Sequence, residues 1–272
     1  MILLFSETRS DYSQYLYPYV IWAVPESGER PSDFFQRGFL PASPQLDQFY
    51  LCRNLRVNLR QFALSSENRR ILRKGHGIGA ELIARSEFDY NAGRRSAWRT
   101  YADARFGEDI MSQERLDRLM SGPVISHLLH FTDRATGREV GTALLFLEEP
   151  AIAYYYYAFY DLAYLSRSLG MYMMTTAVDL FSRRGFRYLH LGTCYSERAR
   201  YKAQFSGLEF FNGSRWSTDL EELKFLVRRE EGAAAGHVLQ LPEYLERFCG
   251  GTVSALASQS AFRLPAGGAA QS

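Results

Sequence analysis

Cysteine is scarce: three residues among 272, Cys52, Cys194 and Cys249, all far apart. An odd count without CxxC spacing argues against a disulfide framework and a cysteine-only metal site. His127 and His130 fall on opposite faces of one strand, so no metal is expected from histidine either. Long apolar runs are also missing. No stretch approaches the roughly 20 residues of a membrane helix, so no membrane partner is expected. The opening MILLFSETRS has too short an apolar run for a secretory signal and no basic lead, which makes a reducing cytoplasm the expected location. Nor is one sign of charge in large excess. Thirty-two Lys and Arg against 30 Asp and Glu leave +2, so the chain is no polycation, and DNA is not an expected partner.

What is present has a clear order. The length suits one large domain or two small ones and allows a sizeable core. Composition divides the chain into a basic, aromatic-rich N-terminal region (1–75), a helical connector (76–123), a β-rich region (124–248) and a flexible tail of small residues (249–272). LRVNLRQFALS alternates Leu55, Val57 and Leu59 with polar residues, a strand pattern. SSENRRILRKG is a short helix ending at Gly75. The stretch from Glu81 to Glu108 reads as mostly helical, and Ser112 caps another helix stopped by Gly122-Pro123. From Val124 three strands follow, then a helix through Arg183 stopped at Gly185, then the strand FRYLHLGTCY. KFLVRRE is a possible further strand. The β-β-β-α-β order gives a mixed α+β sheet with a crossover helix.

Three features carry chemistry. RSLGMY (Arg167, Ser168, Leu169, Gly170, Met171, Tyr172) sits between a strand and a helix, where backbone N–H groups and the dipole favour phosphate or an oxyanion. A plain β-α turn is the alternative. RARYKAQF follows a core strand and places Arg198, Arg200 and Lys202 where α/β sheets bind ligands. A solvated basic loop is the alternative there. Tyr201, Ala203 and Phe205 are expected to alternate as packing residues, leaving Arg200, Lys202 and Gln204 to the substrate. The stretch 52–74 holds Arg53, Arg56, Arg60, Arg69, Arg70, Arg73 and Lys74 against Glu67 alone, either a phosphate-tracking patch or a solvated face. His190 and Cys194 read as structural, and the run Tyr154–Tyr157 as mostly packing on two faces.

The strand order with the RSLGMY loop resembles the GNAT acyltransferase fold, whose phosphate loop reads R/Q-x-x-G-x-G/A. Arg167, Leu169 and Gly170 fit, while Tyr172 replaces a small residue. The chain is more specifically similar to the aminoacyl-tRNA–protein transferases, arginyl and bacterial leucyl. Their R-Y-K-G-Q-Y or K-M-x-Y-K-A-x-F signature is matched by Arg198, Tyr201, Lys202, Ala203, Gln204 and Phe205. Their Y-D-P-x-Y…S-L-G-x-Y is matched by Tyr160, Asp161, Tyr164, Ser168, Leu169, Gly170 and Tyr172. Gly38-Phe39, Leu55 to Leu59, Phe62, Ser65, Ser66, Arg69, Arg70, Leu72 and Arg73 match the N-terminal motif. Coverage is about 38–75 and 125–215, with a weak match over 90–120. The family's N-terminal cysteines shrink to Cys52, which tells against a cluster there.

The resemblance implies a GNAT-like acyltransferase sheet preceded by a smaller aromatic-rich region. It implies transfer of arginine or leucine from tRNA to the N-terminal amine of an acceptor protein, acidic by analogy with the family, in an N-degron pathway. Aminoacyl-tRNA is then a co-substrate, and no further cofactor is expected. Asp161 and Lys202 become catalytic candidates, Asp161 orienting the amine. Arg167, Ser168, Leu169, Gly170, Tyr172, Arg198, Arg200, Tyr201 and Gln204 become candidates for binding aminoacyl-tRNA or acceptor. Whether the octet's cations hold the tRNA end or an acidic acceptor stays open. Arg53, Arg56, Arg69, Arg70 and Arg73 would follow the tRNA backbone. The competing readings are an acyl-CoA N-acyltransferase, against which Tyr172 is counted, and a non-catalytic tRNA-binding protein.

Overall fold

The computed structural model describes residues 1–7, 11, 18–108, 110–231 and 237–262, with the side chains of 165–167 and 231 left aside. Its centre is an eight-stranded mixed sheet. Five strands come from β5 (Asn54–Asn58), β6 (Ile78–Ala84), β7 (His127–Asp133), β8 (Glu139–Glu148) and β9 (Ile152–Tyr160). The others are β10 (Tyr188–Thr193), β11 (Leu208–Phe211) and β12 (Trp216–Ser217), in the order β12-β11-β5-β10-β9-β8-β7-β6. A smaller sheet precedes it in sequence: β1 (Ile2–Glu7), β2 (Tyr19–Val24), β3 (Phe39–Pro41) and β4 (Phe49–Leu51), ordered β1-β2-β4-β3. The fold is therefore mixed α+β with one large mixed sheet. Among the described strand pairs of the large sheet, only β9 and β10 run parallel. Their connection is α5 (Leu169–Arg183), the crossover helix that the strand order requires.

Both faces of the sheet are covered, and alternation along the strands decides which neighbour each side chain meets. Ala143 and Leu145 of β8, with Ala153 and Tyr155 of β9, meet α5 through Met173, Ala177 and Phe181. On the other face Leu144 and Phe159 pack against α3 (Ala92–Phe106) and α4 (Gln113–Ser121), through Trp98, Tyr101 and Leu116. Further along that face, Phe146, Ile152 and Tyr154 meet Phe34 and Phe35 of α1 (Pro31–Gln36) and Phe49 of the small sheet. The Tyr154–Tyr157 run thus has no outward side of the kind a one-sided sheet would leave.

The caps follow the sequence closely. Ser65 opens α2 (Ser66–Lys74) by accepting the Asn68 N–H at 3.0 Å, and Gly75 closes it. Ser112 opens α4 in the same way, accepting the Arg115 N–H at 3.2 Å. Gly75 also has a packing role: a Cβ there would lie 2.1 Å from the Tyr172 ring. The Tyr172 hydroxyl continues past that turn and donates to the Ile78 carbonyl at 2.9 Å, keying α5 to α2 and β6.

Several expectations need correction. Ile78–Ala84, read as part of a helical stretch, is the edge strand β6, paired with β7 over seven residues. KFLVRRE lies in α6 (Leu220–Glu231), because Leu223, Leu226 and Val227 recur at helical spacing and bury one face. The expected boundary at residue 75 is not followed by the backbone, since β5 lies inside the large sheet between β10 and β11. Part of the expected tail is folded. Cys249, just past α7 (Pro242–Phe248), is buried, α8 (Val253–Ser258) buries Leu256, and Phe262 packs on Phe39 and Phe211. The rest, 263–272, lies outside the described residues. Among the described residues no helix is long and apolar enough to cross a membrane.

Arg56 holds β5 to its neighbours. Its guanidinium reaches Glu209 of β11 through Nε and Nη2, each at 2.6 Å. It lies between the rings of Tyr188 (3.9 Å) and Trp216 (3.6 Å) and is only 6% exposed. Arg56 is therefore part of the core and cannot follow a tRNA backbone. Arg56→Ala would strand the Glu209 carboxylate and is expected to lower stability by about 3–5 kcal/mol. Urea unfolding reads this as a lower midpoint at unchanged slope. A midpoint equal to wild type would refute a structural role for the pair.

Candidate active site

The site begins where β9 and β10 part. They pair from Tyr188–Ile152 to His190–Tyr154, and both strands then continue unpaired with each other. Two irregularities flank the parting. One falls in β9 at Tyr156, the other in β10 at Leu191, next to Gly192 with φ 80°. A cleft of about 520 Å³ opens there. Tyr155 to Ala158 of β9 form one wall, and Leu191 of β10 lies opposite. The start of α5, Ser168 to Met171, points into it. Tyr201 and Lys202, with Tyr101, Arg105 and Phe106 from the end of α3, complete its lining.

The α5 end is unusual. Ser168 is the N-cap but sits in the left-handed region (φ 58°, ψ 39°), and its side chain makes no capping bond. The first-turn N–H groups of Leu169, Gly170 and Met171 thus lack a side-chain cap. Gly170 is needed for close approach, since a Cβ would lie 3.0 Å from the Tyr160 ring. The Lys74 ammonium lies 3.5 Å from the Ser168 hydroxyl, which brings the basic end of α2 to the same place.

Lys202 points inward. Its ammonium donates to the Thr193 carbonyl at 3.1 Å, and burial lowers its pKa below the ordinary lysine range. Neighbouring Cys194 is buried outside the cleft lining, and burial raises its thiol pKa, which suits a structural residue rather than a nucleophile. The Tyr155 hydroxyl is buried at the cleft without a hydrogen-bond partner among the described residues. Burial pushes its pKa well up, so it stays a donor.

The octet is not extended. Glu197–Gln204 is a 3-10 helix, whose period of three breaks the expected alternation. Tyr201 is 48% exposed and faces the cleft beside Lys202, while Phe205 is buried. Arg198 is exposed outside the cleft lining. Arg200 pairs with Glu197. Gln204 donates to the Tyr201 carbonyl at 2.9 Å and lies 3.4 Å from the Met171 sulfur.

Other candidates lie elsewhere. Asp161 pairs with Arg138 at 2.5 Å and accepts the Ala163 N–H at 2.9 Å, a turn-capping geometry. It lines a neighbouring cleft of about 500 Å³, and both clefts share Tyr101 and Tyr160. Those rings stand 4.8 Å apart. Tyr172 is core and turns to Gly75, so its bulk does not itself keep a pyrophosphate from the α5 amides. The Arg167 side chain lies outside the described residues. Arg53 pairs with Glu230 at 3.2 Å, Arg70 with Glu67, and Arg69 folds back to the Leu64 carbonyl. The basic run of 52–74 is therefore no single patch, and what remains outward is Arg60 and the face of α2 with Arg69, Arg70, Arg73 and Lys74. His190 is buried and bonded to Asn54 at 2.9 Å. Burial holds its pKa well below the usual value, so it is neutral core.

Sequence reasoning missed Tyr101, Arg105, Tyr155 and Met174 as cleft residues. The one available signal was four consecutive tyrosines in a strand, since phenolic hydroxyls in a core need partners.

The stretch 96–212 matches the family model described as arginine-tRNA-protein transferase, C terminus. It runs from within α3 past β11 and holds every wall of the cleft. An aspartate/glutamate leucyltransferase of Methylorubrum extorquens is 31% identical over 188 residues, covering 64% of this chain and 74% of that protein. One of Ruegeria pomeroyi is 26% identical over 172 residues, 61% of each. Among solved structures, the C-terminal domain of a putative lysylphosphatidylglycerol synthetase from Agrobacterium fabrum overlaps at TM-score 0.41 and 16% identity. That overlap, over 52% of this chain and 46% of the other, is too slight to carry weight. The matched stretch contains the cleft, and the first of these relatives is similar over most of its own length: the chain belongs to the aminoacyl-tRNA–protein transferase family.

Proposed function

We propose that this chain transfers leucine from leucyl-tRNA to the α-amine of proteins that begin with Asp or Glu. The observation that carries the choice of leucine is the cleft lining. Leu169, Met171, Met174 and Leu191 supply an apolar wall, Arg105 and Lys202 supply positive charge, and no carboxylate lines the cleft among the described residues. A leucyl side chain can be buried there, whereas an arginyl guanidinium would be desolvated without a counter-charge. The names of the relatives point the same way. The β7-β8-β9-α5-β10 arrangement, with its parted parallel strands, supports a GNAT-like acyltransferase core. In this reading the product carries a new N-terminal leucine, the type of mark an N-degron pathway uses, and charged tRNA places the reaction in the cytoplasm.

The acceptor amine, neutral, attacks the ester carbonyl carbon. The C–N bond forms, the C–O bond to the terminal ribose breaks, and the ribose oxygen takes a proton. The uncapped amides of Leu169 and Gly170 face developing negative charge on the carbonyl oxygen. Lys202, with its lowered pKa, gives its proton to the leaving oxygen more readily than an ordinary lysine. The proton lost by the amine restores it. The outer face of α2, tied to Ser168 through Lys74, follows the tRNA phosphates.

The deciding assay supplies leucyl- and arginyl-tRNA with peptides beginning with Asp, Glu, Ala or Arg. Leucine moving to the acidic peptides is expected. Preferential arginine transfer would overturn the donor choice, and no transfer at all would overturn the enzymatic reading.

Lys202→Ala is expected to lower kcat/KM by about 10²-fold or more, with the unfolding midpoint little changed. A depressed lysine pKa means the proton is lost at a lower pH than from a free lysine. Activity should therefore rise as the acceptor amine deprotonates near pH 7.7–8.0, then fall on an alkaline limb below the ordinary lysine value of about 10.4. An alkaline limb at or above that value would count against Lys202 as the donor.

Arg73→Ala should weaken tRNA binding for all tRNAs alike and reduce the log–log salt slope by about 1. An unchanged slope would remove the outer face of α2 from the RNA surface.

A further inference from the structure

Helix α3 carries four arginines: Arg94, Arg95, Arg99 and Arg105. Three are neutralised by carboxylates. Arg94 reaches Glu139 at 2.7 Å, Arg95 reaches Asp117 at 3.1 Å, and Arg99 reaches Asp103 at 2.9 Å. Arg105, in the last turn, has no carboxylate partner among the described residues. It is exposed on the cleft wall and interacts with the hydroxyl of Tyr101. The other cation of the cleft, Lys202, donates one N–H to the Thr193 carbonyl and is assigned above to the leaving oxygen. Of the octet's remaining cations, Arg200 is paired with Glu197 and Arg198 lies outside the lining.

We propose that Arg105 receives the side-chain carboxylate of the acceptor's first residue, and so sets the preference for acidic N-termini. The inference rests on the transferase reading above. An arginine suits the task because its planar fork takes a carboxylate through two parallel N–H···O bonds. Its long side chain, exposed in the cleft lining, can meet the short arm of Asp and the longer arm of Glu. The uncharged amides Asn and Gln match these acids in shape but bring no charge to the fork, so discrimination falls on charge alone. Arg105, Lys202 and the first-turn residues of α5 line the same cleft, so an acceptor held by Arg105 has its amine in the space where the ester is proposed to sit.

The test measures transfer from leucyl-tRNA to matched peptides beginning with Asp, Asn, Glu or Gln, for the full chain and for Arg105→Ala, Arg105→Lys and Arg105→Glu. In Arg105→Ala the Asp-to-Asn ratio of kcat/KM should drop by about ten- to a hundredfold. The loss should fall mainly on the KM for peptide, with the KM for leucyl-tRNA unchanged. Arg105→Lys should keep much of the preference, and Arg105→Glu should favour peptides beginning with Lys or Arg over acidic ones. An unchanged Asp-to-Asn ratio in Arg105→Ala would overturn the assignment while leaving the enzyme reading intact. So would an equal loss on every peptide, or a raised KM for leucyl-tRNA, which would make Arg105 an RNA contact. Wild type that transfers to none of the peptides would remove the transferase reading and this inference together.

Discussion

The parting of β9 and β10 is the constraint on which the site depends. Two parallel strands can share a ladder only while their backbones stay side by side. After His190 and Tyr154 they do not, and the extra residues at Tyr156 and Leu191 mark where each strand turns to follow its other neighbour. A sheet that opens within its own plane leaves space that side chains from both faces can reach. The crossover helix starts at that opening, because it must leave the end of β9 and return to the start of β10. The cleft, the uncapped helix end and the inward lysine are therefore one arrangement.

Charge is distributed by partnership rather than by count. The run from Arg53 to Lys74 adds to a strongly basic segment on paper, yet its members go to different places. Arg56 is stacked in the core, Arg53 meets Glu230, and Arg70 meets Glu67. The pattern repeats in α3, where acids answer three of four arginines. In α3 the one arginine without a carboxylate among the described residues is then informative, because its three neighbours are neutralised locally and it stays able to meet a ligand.

Much of the fold was legible in the sequence, because local signals decided it. Ser65, Ser112 and Gly185 punctuate helices as their capping chemistry requires, and the three strands from His127 to Tyr160 show as apolar, β-branched and aromatic runs. Ile78–Ala84 was not legible, since IGAELIA suits a helix as well as a strand, and only pairing with β7 decides between them. The site was half legible. The glycine loop and the Tyr-Lys pair of the octet lie in the cleft as motifs. Tyr155 and Arg105 could not be found by motif, because a bulge and the end of a helix opposite the sheet place them there. Arg56 misled for the same reason: its sequence neighbours are basic, but its spatial neighbours are Glu209, Tyr188 and Trp216.

Tyr172 connects two helices that have different tasks in the transferase reading. Its ring fills the space above Gly75 and its hydroxyl holds the Ile78 carbonyl, so the turn after α2 cannot move without α5. The helix face proposed to meet the RNA and the helix end proposed to meet the ester are then tied to one another like two marks on a ruler. An acceptor stem seated on the first mark presents its 3′ end at a set distance to the second. A stem of the wrong length, or an end already stripped of its amino acid, would leave the second mark empty.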